Sequence, residues 1–196
     1  MNGRKIFVIG MCIGLLVTGF HLGAQPATVS FDKSTQDYLI AQMKGDQSEA
    51  IRQWATKNPS LLDGRGPSGL SPLDWAVQLS AVSSFTVLLE SGADPNALWT
   101  DKDGEVVSDL IIIIHRRHSD DLLLMRKFSQ ALLAHGFRWD NKNSTYGVQF
   151  GTAGSIIVLC KETSSIEAQL IWLAEQGMPT SYDIRHQGVV HAVALE

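Results

Sequence analysis

A stretch of 28 residues, from Gly69 to Asn96, limits the possible folds of this chain more than any other part of it. Ser71-Pro72 is a typical helix start, because the serine hydroxyl accepts from a free backbone N–H and proline loses nothing at the first helical position. Val87 to Leu89 give a second helix an apolar side. Gly92 follows where left-handed backbone ends a helix, and Asp94 to Asn96 form a turn. The stretch therefore predicts two short helices joined by tight turns.

The two halves of this stretch resemble the ankyrin repeat, whose pattern reads roughly TPLHxAA and then LLxxGADxN. Ser71 to Ala76 read SPLDWA, and Leu88 to Asn96 read LLESGADPN, at the separation that the family shows. Asp74 stands where the family has histidine, and Trp75 is atypical. The resemblance implies a helical solenoid. It also implies protein binding rather than catalysis, since ankyrin repeats generally bind proteins.

Weaker copies of the pattern lie on both sides of the strong one. They span Tyr38 to Gly64, Val106 to Asp140 and Ser155 to Pro179, and Val189 to Leu195 resembles a truncated fifth unit. Gly92, Gly136 and Gly177 end successive second helices and are 44 and 41 residues apart, against about 33 in a standard repeat. The additional residues of these longer repeats fall at 99–105 and 115–121. We predict an all-α fold, a short ankyrin-like solenoid of about four helix-turn-helix repeats with hairpin loops.

Two alternatives compete with this interpretation. Leu110 to Ile114 form a β-branched run that would also suit a buried strand, and short apolar runs cannot be assigned by periodicity alone. We favour a helix there, because stacking between helical units buries such a segment on both sides. The second alternative is an irregular α-helical domain with one accidental ankyrin-like stretch, since the resemblance is firm only over about residues 38–96 and weakens beyond Glu105.

The N-terminus has the three-part layout of a secretory signal peptide. Arg4 and Lys5 precede an apolar run from Ile6 to Phe20, which is shorter than the roughly 20 residues of a membrane-spanning helix. Small residues follow, and cleavage after Ala24 or after Ala27 is consistent with them. The alternative is an uncleaved membrane anchor. We expect a signal peptide over residues 1–24, a linker over 25–35, an ankyrin-like domain over 36–196, and a periplasmic protein.

Charge and cysteine content narrow the possible partners. Loss of Arg4 and Lys5 with the signal peptide lowers the formal net charge from −4 to −6. This charge argues against nucleic acid and, after signal cleavage, against an anionic membrane as partners. It favours a protein partner that has a basic patch. Cys160 is then the sole cysteine, so an intramolecular disulfide is excluded.

The densest polar cluster spans residues 115–121. Its members are His115, Arg116, Arg117, His118, Asp120 and Asp121. Two histidines three residues apart with a nearby carboxylate can bind a metal, although the His-Glu-x-x-His pattern is absent. We interpret the cluster as a solvated loop between helices and expect no catalytic residues, no metal and no cofactor. His135, beside Gly136, is predicted to cap the end of a helix.

The hairpin loops are the predicted binding surface, because hairpin tips and inner helices form one face of an ankyrin stack. The predicted partner-binding residues are Trp99, Asp101, Lys102, Asp103, Arg138, Trp139 and Asp140. Tryptophan and arginine often dominate binding energy at interfaces. The alternative is that Trp99 and Trp139 fold back onto neighbouring repeats, since tryptophan is usually largely buried.

We expect a periplasmic immunity protein that occludes a toxic effector, for example a phospholipase delivered by the type VI secretion system of a neighbouring cell. This step comes by analogy with exported ankyrin proteins and not from individual residues. Two alternatives remain: a periplasmic helper of a stress-response enzyme such as a catalase, and a small metal-binding enzyme centred on His115 and His118.

Overall fold

The computed structural model describes residues 29–100, 106–139 and 164–178, and these are mostly helical. Their α-helices are α1 (Lys33–Lys44), α2 (Ser48–Lys57), α3 (Pro72–Gln78), α4 (Val82–Glu90), α5 (Leu110–Arg117), α6 (Leu122–Ala134) and α7 (Ser164–Glu175). A 3-10 turn covers Pro59–Leu61, and β1 (Leu98–Thr100) pairs with β2 (Val106–Asp109). The predicted helical class is confirmed at this level. Among these helices, none has the length and apolar character needed to span a membrane.

The helices pack in two layers. Helices α1 and α2, α3 and α4, and α5 and α6 contact each other as consecutive pairs. Helices α1, α3 and α5 form one layer, in which α3 touches both of the others. Helices α2, α4, α6 and α7 contact one another in that order and form the second layer. We call these the inner and the outer layer. The three helical pairs are therefore stacked side by side around one continuous core.

Five helix ends close with the same backbone hydrogen bond, from an N–H beyond the helix to a carbonyl five residues earlier. The donor and acceptor pairs are Gln47–Gln42, Ala81–Ala76, Ala93–Leu88, Phe137–Leu132 and Met178–Leu173, at 2.9 to 3.1 Å. This bond requires a left-handed residue just before the donor. Gly92 and Gly136 supply it with φ of 103° and 88°, as predicted for Gly92. At the end of α1 the left-handed residue is Asp46, which follows Gly45.

Helix starts and stops follow local chemistry. The Ser71 hydroxyl accepts from the Asp74 N–H at 3.2 Å, and the Asp74 carboxylate accepts from the Ser71 N–H at 2.8 Å. This reciprocal pair is a capping box at the start of α3. Helix α2 ends at Lys57, directly before Asn58-Pro59, as predicted. His135 caps the end of α6, because its Nδ1–H donates to the Ala131 carbonyl at 2.8 Å.

The apolar run from Leu110 to Ile114 is helical, so the alternative of a buried strand is wrong. All five of its residues are buried within α5, between α3 and α6. Packing on several sides buries this five-residue run on every face, which explains why the run lacks amphipathic periodicity, although Arg116 and Arg117 at the end of the helix are exposed. Strand β2 takes up Val106–Asp109, so the helix begins at Leu110. In α7, the predicted apolar residue Ile171 is 40% exposed.

Candidate protein-binding surface

Two loops carry the predicted binding residues, and the structure describes part of each. The Arg138 side chain is exposed. Trp139 is half-buried and packs edge-to-face on Phe137, with ring centroids 5.1 Å apart and an interplanar angle of 85°. Because one edge of the ring contacts Phe137 and the core, Trp139 is partly folded back. It still presents accessible surface, so it is partly folded back and partly exposed.

Asn96 joins the bases of the two loops. Its side-chain oxygen accepts from the Arg138 N–H at 2.7 Å, and its side-chain nitrogen donates to the Gly136 carbonyl at 3.2 Å. The Asn96 N–H in turn donates to the Asp94 carboxylate at 2.8 Å. These bonds hold the segment after α6 against the turn after α4, so Arg138 and Trp139 start from a fixed backbone.

The remaining predicted loop residues lie closer to the tips. The backbone of Trp99 pairs with Ser108 in the antiparallel ladder, next to an irregularity in register between Trp99 and Thr100. Asp101, Lys102, Asp103 and Asp140 lie outside the described residues. The described residues thus define the structure at the base of the two loops. Binding by the seven proposed residues stays a prediction.

The interpretation of residues 115–121 as a solvated loop is wrong for both histidines. His115 lies in the last turn of α5 with no exposed surface, and its Nδ1–H donates to the Ile111 carbonyl. His118 is 8% exposed, and its Nε2–H donates to the Val77 carbonyl at 3.0 Å. Burial lowers the pKa of His115 to about 4 and lowers that of His118, so both are neutral at pH 7. Arg116 and Arg117 between them are exposed.

This geometry gives the metal-binding alternative no support. Each imidazole already donates from one ring nitrogen to a carbonyl, and His118 stacks on Phe128 with centroids 5.4 Å apart. Asp121 accepts from the Leu124 N–H at 2.9 Å and caps α6. Within the described ranges, no three histidine, cysteine or carboxylate side chains come together as a metal site. The cluster is therefore divided between two core histidines, a helix cap and exposed residues.

The sequence predicted that inner helices contribute to the binding face, but it did not identify which of their residues are exposed. Outer helices cover one side of α1, α3 and α5, each helix also has inner-layer neighbours, and among the described helices none packs on the remaining side. We call this the inner-helix face. The residues on these helices that we assign to it are Ala41, Lys44, Trp75, Gln78, Arg116 and Arg117, all exposed or half-buried. Asp46 and Ser80 are the left-handed residues that follow α1 and α3, and they are 34 residues apart. At the same separation, Ala41 and Lys44 of α1 correspond to Trp75 and Gln78 of α3.

A small pocket opens on this face between the C-terminal ends of α3 and α5. Its volume is about 280 Å³, and Gln78, Ile113, Arg116 and Arg117 line it. Arg117 Nη2 donates to the Gln78 carbonyl over a long distance of 3.5 Å. The lining therefore combines two cations with one amide and one aliphatic side chain, a chemistry suited to an anionic group. The signal in the sequence was the Arg-Arg pair, but its nearness to Gln78 depends on the fold.

Asp74, which stands where the ankyrin pattern has histidine, has a structural role. Besides capping α3, its carboxylate lies 3.3 Å from Arg65 Nη1, which also donates to the Gly69 carbonyl at 2.7 Å. Burial raises the pKa of Asp74, although its bonds to Ser71 and the charge of Arg65 oppose that shift. Asp74 therefore holds the turn before α3 rather than contributing to a surface.

Comparison of the chain with models of protein families, with curated proteins and with solved structures found no match in any of the three.

Proposed function

We propose that this chain is an exported ankyrin-type module that binds another protein and occludes its active site. The observation that carries the proposal is the stack itself. Three helical pairs lie side by side in two layers, and the same hydrogen bond closes five helix ends. Repetition of one unit with a shared core is typical of solenoids, and solenoids generally use one extended face for binding.

The proposed contact surface consists of the loops tied by Asn96 together with the inner-helix face. Trp139 and Trp75 are half-buried aromatic side chains, and Arg116, Arg117 and Arg138 are exposed. Interfaces are enriched in this combination of aromatic residues and arginine. A stable complex buries about 800 Å² on each partner, which one side of three or four stacked helical pairs can provide.

The proposed setting is the periplasm, and the proposed partner is a toxic effector from a neighbouring cell, such as a phospholipase. The leader over residues 1–24 supports export, and the formal net charge of −6 without it supports a partner with a basic patch. The mechanism is steric: the module covers the entrance to the active site of the toxin and performs no reaction of its own.

Affinity capture in the native host tests this proposal. The full chain with a C-terminal tag is expressed with its own leader, and proteins that co-purify are identified by mass spectrometry. We expect one strongly enriched exported protein, and we expect Arg138→Ala with Trp139→Ala to reduce its recovery. Lys57→Ala with Lys127→Ala, both on exposed outer-layer positions, is the matched control and should have no effect.

Removal of residues 1–24 tests the compartment and the protective role together. We expect the shortened chain to stay in the cytoplasm and to give no protection against a periplasmic toxin. Protection by the shortened chain would contradict export. Failure to enrich any protein with the full chain would contradict the binding function.

A further inference from the structure

The pocket between α3 and α5 has the size of a side-chain site. Its volume of about 280 Å³ is at the lower limit of small-molecule sites, which measure about 300 to 1,000 Å³. Gln78, Arg116 and Arg117 form its polar lining, and Ile113, 7% exposed, adds an aliphatic part. A pocket of these dimensions suits one or two side chains from a partner better than a whole cofactor.

The two arginines of the pocket are available to a ligand. Two other arginines have acidic partners: Arg52 pairs with Glu90 at 2.7 Å, and Arg65 pairs with Asp74. Arg126 instead donates to the Ala168 carbonyl and lies over the Trp172 ring. Within the described residues, neither Arg116 nor Arg117 lies within 4.0 Å of a carboxylate. The single long bond from Arg117 to the Gln78 carbonyl leaves most guanidinium donors of the pair unused.

The positive charge of Arg116 and Arg117 contrasts with the acidic character of the chain as a whole. The chain is acidic, with a formal net charge of −4, yet adjacent exposed cations line a pocket on the inner-helix face. Arg116 and Arg117 lie in the last turn of α5, where the helix dipole favours cations, but this effect does not require them to line a pocket. Arginine binds carboxylates through two parallel hydrogen bonds, which fixes direction as well as charge.

We propose that the Arg116–Arg117 pocket is a docking site for a carboxylate side chain, from an aspartate or glutamate of the protein partner. This inference rests on the proposed function and specifies its chemistry. The partner would carry at least one acidic residue that enters the pocket, even where the surrounding surface is basic. Gln78 would donate from its amide to the same group or to its neighbour.

A peptide-binding experiment tests the pocket without knowledge of the partner. The purified exported chain is titrated into a fluorescein-labelled peptide of six glutamates, and binding is followed by fluorescence anisotropy at low ionic strength. A peptide of six glutamines is the neutral probe. We expect the glutamate peptide to bind at least about tenfold more tightly than the glutamine peptide, with the preference falling as salt rises.

Charge-matched variants distinguish the effect of the pocket on peptide binding from the effect of net charge. Arg116→Ala with Arg117→Ala should weaken binding of the glutamate peptide about tenfold or more. Lys57→Ala with Lys127→Ala removes the same charge from the outer layer and should change it less than about twofold. Arg116→Lys with Arg117→Lys keeps the charge and should lose about threefold, because lysine lacks the paired donors. Circular dichroism and thermal unfolding check that each variant is folded.

Three results would overturn the proposal: equal affinity for the two peptides, equal losses in the arginine and lysine pairs, or displacement of the peptide by millimolar inorganic phosphate but not by millimolar glutamate. Affinity capture tests the proposed function independently of the peptide experiment. If the tagged chain captures a protein and the double arginine variant captures it equally well, the pocket is not used although the module binds proteins. If nothing is captured, the binding function fails whatever the peptide shows.

Discussion

His118 joins two neighbouring inner helices, because its Nε2–H donates to the Val77 carbonyl 3.0 Å away in the last turn of α3. The same imidazole stacks on Phe128 of the outer helix α6. One side chain therefore contacts three helices from two successive helical pairs. The N–H of Ser80 also donates to the Val77 carbonyl, at 3.2 Å, so this oxygen has two donors.

Substitutions at His118 should separate the hydrogen bond from the stacking. His118→Phe keeps a ring against Phe128 and loses the donor, so we expect a loss of about 1 kcal/mol in the free energy of unfolding. His118→Ala also loses packing, so we expect about 2 to 3 kcal/mol. Urea unfolding followed by circular dichroism measures both. An undiminished stability of His118→Phe would show that the bond to Val77 contributes nothing, and equal losses for the two variants would show that the stacking on Phe128 contributes nothing.

Burial of His115 should make the protein less stable in mild acid. Its folded pKa of about 4 lies below the ordinary value of 6.5, so the unfolded chain binds the proton more readily. The contribution of His115 to the free energy of unfolding is complete above about pH 7 and is lost as the pH falls from 6.5 towards 4. Between about pH 7.5 and pH 5 we expect its contribution to fall by about 2 kcal/mol.

The variant His115→Leu isolates that contribution. Leucine does not titrate, so the change in unfolding free energy over this range should be smaller than in the wild type. Burial also lowers the pKa of His118, which acts in the same direction and remains in both proteins. Asp63 and Asp74 have pKa values raised by burial and oppose the loss in both proteins. An unchanged pH dependence in the variant would contradict a buried neutral His115.

The glycine after α6 should be needed for its backbone conformation alone. Gly136 has φ of 88°, and an added Cβ would meet nothing within 4 Å. Gly136→Ala should therefore cost about 1 to 2 kcal/mol through left-handed strain. Gly45→Ala is the control, because φ is −84° there and a Cβ would meet neighbours no closer than 3.4 Å. Thermal unfolding of both variants measures the difference, and a Gly45→Ala cost as large as that of Gly136→Ala would count against this explanation.

Helix boundaries could be predicted from the sequence because they depend on adjacent residues. The starting residue Ser71, the stop at Asn58-Pro59 and the left-handed Gly92 all act within one turn of backbone. The left-handed Asp46 was missed, since an aspartate after Gly45 gives a weaker signal than the glycine itself.

The positions of His115 and His118 could not be predicted in the same way. Both lie in a polar segment, and their burial depends on α3 and α6, which pack against α5 from distant parts of the chain. The arginine pocket also needs Gln78, which is 38 residues before Arg116. Contacts of this kind leave no local pattern, whereas helix caps do.

Trp139 should contribute to partner binding beyond its contact with Phe137. Trp139→Ala should weaken binding of the captured partner by more than about 1 kcal/mol with little loss of helix content. Trp139→Phe keeps an aromatic ring near Phe137 and should lose less. Calorimetric titration gives the affinities, and circular dichroism gives the helix content. General unfolding of Trp139→Ala with unchanged affinity of Trp139→Phe would assign Trp139 to the core.

The most direct test of the account is a calorimetric comparison of two faces of the protein against the partner recovered by affinity capture. One variant combines Arg116→Ala, Arg117→Ala and Arg138→Ala, and its control combines Arg52→Ala, Lys57→Ala and Lys127→Ala on outer-layer helices. The account predicts at least about a hundredfold loss of affinity for the first variant and less than about threefold for the second. Equal losses for both variants, or the absence of any protein that binds the wild-type chain, would contradict it.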